Sequence, residues 1–102
     1  VDVSMHFHDT RGMGVANVYS ALEHGIEIFE GSIGGIGGCP FAPRSTGNVC
    51  SEDLLFMVHE SGYHTGVDVW AMVAAARHLE QELGKELPGR LNRAGPPPWL
   101  QT

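Results

Sequence analysis

Two histidines stand two residues apart near the start of the chain, in His6-Phe7-His8. On a β-strand, residues at i and i+2 point to the same side, with Cα atoms about 6.5–7 Å apart. Two imidazoles so placed can converge on one ion at about 2.0–2.2 Å from each nitrogen. The plainer reading is a pair of histidines on a polar, half-exposed strand face, and spacing alone leaves both open. Asp9 follows directly and could fix a ring tautomer from behind or simply open a turn. A thiol is the second candidate. Cys39 lies between Gly38 and Pro40 in a loop expected to follow a strand, where α/β folds place ligands. The alternative is a small apolar residue packed under the loop. Asn48 closes that loop; its amide oxygen suits a hard cation, and asparagine is also an ordinary turn residue. Cys50, just before a helix start, reads as structural. Of the remaining histidines, His24, His59 and His78 read as solvated or helix-terminal. His64, within Gly62-Tyr63-His64-Thr65-Gly66, has no nameable partner.

The elements that must position these groups follow from periodicity. From Val1 to His8 the chain alternates, with Val1, Val3, Met5 and Phe7 on one face and Asp2, Ser4, His6 and His8 on the other. Period two over eight residues predicts a strand. Asp9-Thr10-Arg11-Gly12 is a turn, and a helix is expected from about Gly14 to His24, with Val15, Val18, Tyr19 and Leu22 as its stripe and Gly25 as its stop. Ile26 to Glu30 reads as a shorter strand, so the unit is βαβ and its strands should be parallel. Five glycines then fall in the eight positions from Gly31 to Gly38, which removes side-chain packing and opens backbone angles closed to other residues. That run holds no GxGxxG frame and no phosphate-loop GKS or GKT, and the chain has no GxSxG elbow.

A further helix is expected to start at Ser51 as N-cap, with Glu52 and Asp53 in its first turn, Leu54, Leu55 and Val58 buried, and Gly62 at its end. Asp68 should cap a last helix to about Leu83, with Val69, Met72, Val73, Ala76 and Leu79 inward and Gly84 as stop. Residues 85–102 read as an irregular Pro/Gly-rich tail, pinned at Trp99.

With 102 residues, 42% of them apolar and 18% charged, the chain amounts to one domain at most and is not of disordered composition. It starts inside the alternating pattern of the first strand, which suggests further sequence upstream. No apolar run approaches the roughly 18 residues of a membrane span. Twelve acidic against six basic side chains give a net charge of −6, no electrostatic footprint for nucleic acid or an anionic membrane. Two cysteines without CxxC spacing argue against a disulfide framework and a zinc or redox motif.

Taken together, His6-Phe7-His8-Asp9-Thr10, Gly31-Ser32-Ile33-Gly34-Gly35-Ile36-Gly37-Gly38-Cys39-Pro40-Phe41, Thr46-Gly47-Asn48 and Ser51-Glu52-Asp53-Leu54 resemble the 3-hydroxy-3-methylglutaryl-coenzyme A lyase family. The match runs in order from Val3 to about Asp68, and Leu87-Pro88-Gly89-Arg90 looks like the tail of bacterial members. The HxHD element is shared by a wider superfamily of metal-dependent TIM-barrel aldolases and Claisen enzymes, whereas Gly-Gly-Cys-Pro-aromatic selects the lyase.

The resemblance implies an α/β fold, with residues 1–84 forming the C-terminal part of a (β/α)8 TIM barrel: the last two strand–helix units and the C-terminal helices. It implies that His6 and His8, with Asn48, bind a divalent cation, Mg2+ or Mn2+. It gives Cys39 a role in catalysis as a general acid/base and His6 a share in proton transfer. The implied reaction is a retro-Claisen cleavage of an acyl-CoA substrate to acetyl-CoA and acetoacetate, in leucine degradation and ketone body metabolism. The implied full-length enzyme is a homo-oligomer, a dimer, in the cytoplasm of a bacterium or the mitochondrial matrix of a eukaryote. Arg44 stands where members often carry glycine, which puts the loop's mobility and charge in question. The Arg-Asp pair of the family's first strand has no counterpart here, so the 102 residues alone are not expected to turn over substrate. A relative with the same site and another acyl-CoA or 2-oxo acid substrate, and a non-catalytic metal-binding fragment, are the other readings.

Overall fold

The computed structural model of the chain describes residues 2–37 and 47–100. Strand β1 (Ser4–His6) leads into helix α1 (Gly14–Glu23) and strand β2 (Ile28–Glu30), followed by a 3₁₀ turn at Ile33–Gly35. Helices α2 (Ser51–Glu60), α3 (Val69–Leu83) and α4 (Leu91–Ala94) follow, with a last 3₁₀ turn at Pro98–Leu100. The two strands pair in parallel, as a βαβ unit requires, in the register Ser4–Ile28, Met5–Phe29, His6–Glu30. The strand is shorter than the alternating pattern: alternation holds from Ser4 to His8, with Met5 and Phe7 half-buried and Ser4, His6 and His8 exposed, while Val3, expected inward, is exposed.

Local chemistry starts and stops the helices. The Asp9 carboxylate accepts the Gly14 N–H at 2.8 Å and so does a cap's work from the turn before α1. Asp68 accepts from Trp70 and Ala71 N–H at the start of α3, and Gly84 ends it in the left-handed region at φ +67°. Ser51 is not the N-cap of α2. Its N–H donates to the Ser32 carbonyl at 2.9 Å, so the cap position falls on Cys50, which makes no side-chain capping bond.

Two apolar clusters share α2. Val18, Val49, Leu54 and Val58 form one, covered by Phe7, Val15, Leu22, Phe29 and Met57. Leu55, Val69, Val73 and Leu91 form the other, with Phe56, Trp70 and Met72 against it. Each fully buried aliphatic side chain contributes about 1.5–3 kcal/mol. Along α1 the seam is narrower than expected: Val18 and Ala21 are buried, while Tyr19 is exposed. The tail also differs from its expectation. Leu87 and Leu91 are buried, α4 is helical, and Trp99 is 68% exposed rather than pinned. Asp53 accounts for the order: its two carboxylate oxygens accept the Arg90 and Leu91 N–H at 3.0 and 2.8 Å, docking the start of α4 on α2.

Candidate functional site

The two histidines meet as their spacing implied. The His6 and His8 rings have centroids 5.2 Å apart and planes inclined by 72°. They stand at and just beyond the C-terminal end of β1, on its exposed face. The register puts Glu30 of β2 beside His6, and Glu30 Oε2 lies 3.3 Å from His6 Nδ1. A carboxylate there favours the proton on Nδ1 and leaves the Nε2 lone pair to meet a ligand.

The segment 47–51 is threaded between the ends of the two strands. Asp9 N–H donates to Gly47 O and Val49 N–H to Phe7 O, so Asn48 and His8 face each other across an antiparallel bridge. On the other side, Ser32 N–H donates to Val49 O and Ser51 N–H to Ser32 O, a parallel bridge between Ser32 and Cys50. Gly47 makes this path possible. Its φ is +104°, and a Cβ there would strike the carbonyl oxygens of Gly35 and Gly37. The Asn48 side chain reaches back to the glycine run, donating from Nδ2 to the Ile36 carbonyl at 3.4 Å.

His6, His8 and Asn48, from two distant stretches of sequence, are therefore assembled at one end of the strand pair. The donor types suit a divalent cation: two imidazole nitrogens, one with a carboxylate beside its ring, and an amide on the residue bridged to His8. It is a partial set, since Mg2+ and Mn2+ take about six donors. Among the described residues no group of three or more His, Cys, Asp and Glu side chains is placed to hold a metal ion. Further donors must come from other residues, from substrate or from water. Asp9 belongs to the turn, through its bond to Gly14. Cys39 lies outside the described residues, as does Arg44.

The other sulfur is structural. Cys50 is 5% exposed and its thiol donates to Glu52 Oε2 at 3.1 Å. Burial pushes this thiol well above its ordinary range, against the backbone N–H of Asp53 and with smaller additions from the Asp53 and Glu52 charges. His24 bonds the Ser20 carbonyl at its helix end and His59 bonds the Thr65 hydroxyl. His78 lies beside Glu82 on an exposed face, and His64 is exposed.

Sequence reasoning passed over Glu52. It reads as a first-turn acid beside Asp53, yet it is fully buried. Both of its oxygens accept from the Gly34 N–H, at 3.1 and 3.0 Å. One signal could have found it: Glu52 sits three residues before Leu55, on the apolar stripe.

The family model described as HMGL-like matches residues 1–79. An (R)-citramalyl-CoA lyase of Chloroflexus aurantiacus is 47% identical over 96 residues, covering 94% of this chain and 30% of the relative. A hydroxymethylglutaryl-CoA lyase of Bacillus subtilis is 46% identical over 88 residues, covering 86% of this chain and 29% of the relative. Among solved structures, an HMG-CoA lyase from Acenitobacter baumannii in complex with coenzyme A and 3-methylmalate superposes with a TM-score of 0.89 at 43% identity, covering 97% of this chain and 32% of that one. The chain thus spans about three tenths of the length of these relatives.

Proposed function

The chain belongs to the HMGL-like family, and on that footing we propose that it is the C-terminal portion of a divalent-metal-dependent lyase cleaving 3-hydroxy-3-methylglutaryl-CoA to acetyl-CoA and acetoacetate. In this reading β1–α1 and β2–α2 are the last two strand–helix units of a (β/α)8 barrel, and α3 and α4 are its C-terminal helices. The strand ends then face the side of the barrel on which such enzymes carry their chemistry. The observation that carries the reading is the bridge between His8 and Asn48, which joins the strand histidines to the loop amide.

His6, His8 and Asn48 would hold the cation, Mg2+ or Mn2+. When bound, it supplies Lewis acidity that lowers the pKa of the substrate's tertiary alcohol and fixes the bond to be broken. The protein's own part is acid–base work and closure. His6 would hold the cation through Nε2, so its share in proton transfer would run through Nδ1, which has Glu30 Oε2 at 3.3 Å to pass the proton to. Loss of the alcohol proton expels the thioester enolate, and a proton returned to its carbon gives acetyl-CoA. Cys39 is assigned as the acid/base of the loop, not as a thioester nucleophile. The glycine-rich stretch suits close approach of the backbone to a ligand, because glycine carries no side chain to stand in the way.

The acyl group has two candidates. The Bacillus relative is named for hydroxymethylglutaryl-CoA and the Chloroflexus relative for (R)-citramalyl-CoA, and both names describe a CoA-ester lyase. We assign the first, on the Gly-Gly-Cys-Pro-aromatic run. The full-length protein, supplied with Mn2+ and each thioester in turn, should release acetyl-CoA and acetoacetate from 3-hydroxy-3-methylglutaryl-CoA with the higher kcat/KM. A higher value for citramalyl-CoA would move the assignment to that substrate, and release from neither would end the lyase reading.

A further inference from the structure

Glu52 is fully buried in the first turn of α2, and among the described residues it forms no ion pair. A buried carboxylate without a cation is costly unless its oxygens are hydrogen-bonded, and a methionine would fill the space without that cost. What the carboxylate supplies is acceptors. It takes the Gly34 N–H with both oxygens and the Cys50 thiol with one. Gly34 is gripped from its other side as well. Its carbonyl accepts the Gly89 N–H at 2.9 Å. Its α-carbon is pressed against Leu87, whose side chain would collide with a Cβ.

The peptide so held begins the path to the metal site. Gly34 is the centre of the 3₁₀ turn at Ile33–Gly35, which delivers the carbonyl of Ile36. That carbonyl accepts the Ser32 hydroxyl at 2.6 Å and the Asn48 Nδ2 at 3.4 Å. The same amide nitrogen lies 3.0 Å from where a Cβ on Gly37 would be. Fixing Nδ2 against the glycine run fixes the direction of the amide oxygen on the same group. Glu52 acts on the turn, the turn on Ile36, and Ile36 on Asn48.

We propose that Glu52 is a positioning residue for the metal site: through Gly34 it holds the turn whose Ile36 carbonyl orients the Asn48 amide. The inference rests on His6, His8 and Asn48 being the ion's protein ligands. It predicts coupling between Glu52 and Asn48 through the intervening turn, and coupling is measured by a double-mutant cycle.

The experiment titrates Mn2+ into the full-length protein, read by the electron paramagnetic resonance of free Mn2+, for the parent, Glu52→Met, Asn48→Ala and the double variant. Glu52→Met is expected to weaken Mn2+ about tenfold when Asn48 is present and less than twofold when Asn48 is already alanine. Equal losses in both backgrounds, or no loss in the first, overturn the proposal. A merely structural role would lower Tm and leave the two losses equal. Where Glu52→Met does not accumulate as folded protein, Glu52→Gln takes its place. It keeps one oxygen for Gly34 and should lose two- to threefold, again only with Asn48 present. The parent reading fails separately, if His6→Ala and His8→Ala leave Mn2+ binding unchanged.

Discussion

Glu30 Oε2 lies 3.3 Å from His6 Nδ1, a contact set by the direct pairing of these two residues in the parallel register of β1 and β2. It orients the imidazole and leaves Nε2 outward. Partners of this kind, behind a ligand, typically change metal affinity by about 10–100-fold. Both side chains are well exposed here, 42% and 65%, so screening places the effect at the low end. Glu30→Gln is expected to weaken Mn2+ binding by about tenfold with little change in Tm. Equal affinity in parent and variant, measured by calorimetric titration at low salt, would remove Glu30 from the site.

Gly47→Ala should damage the site from the backbone outward. Alanine is disfavoured at φ +104°, and its Cβ would meet the carbonyls of Gly35 and Gly37. The cost exceeds the roughly 1 kcal/mol of an ordinary glycine replacement. The expected outcome is a lower Tm together with weakened Mn2+ binding, because the His8–Asn48 bridge depends on this residue's carbonyl neighbour bonds. An unchanged Tm would show that the segment takes another path.

Cys50 gives a pH dependence with a definite sign. Burial raises its pKa in the fold, while in the unfolded chain a thiol releases its proton near about 8.5. The native state keeps a proton that the unfolded state loses. Stability from this source is therefore complete below about pH 8.5 and declines above it, by up to about 1.4 kcal/mol per pH unit. Urea denaturation between neutral pH and pH 10 should show this decline in the parent and a shallower one in Cys50→Ala. Parallel pH slopes would contradict the burial of the thiol.

Much of the fold was legible in period and punctuation. The βαβ unit came from alternation in residues 1–8 and from the stripe that follows, and the parallel pairing bears it out. Asp68 and Gly84 bound α3 as their types dictate. Tyr19 misled because a three–four stripe does not say which flank turns to solvent; the small Ala21 took the buried place. Glu52 and Asp53 misled for a different reason. Both suit a helix N-terminus, so local electrostatics explained them completely, and their long-range partners, Gly34 and the N–H groups of Arg90 and Leu91, leave no local trace. Composition hid α4 in the same way, since the tail is ordered by Asp53 and by Leu87 and Leu91 rather than by its own propensity.

The loop cysteine is tested by kinetics. Cys39→Ser in the full-length protein is expected to cut kcat by about 10²–10⁴-fold, the usual weight of a general acid or base, while Mn2+ affinity stays within about twofold. Unchanged turnover would cancel its assigned role. Loss of metal affinity would instead make it part of the binding site.

The claim on which the rest depends is that His6 and His8 bind the ion together. Mn2+ titration of the full-length protein against His6→Ala, His8→Ala and the double variant addresses it directly. Each single substitution is expected to weaken binding by at least tenfold, and the double to abolish it at millimolar Mn2+. Affinity equal to the parent in both single variants would contradict the metal site, and with it the mechanism built on this strand.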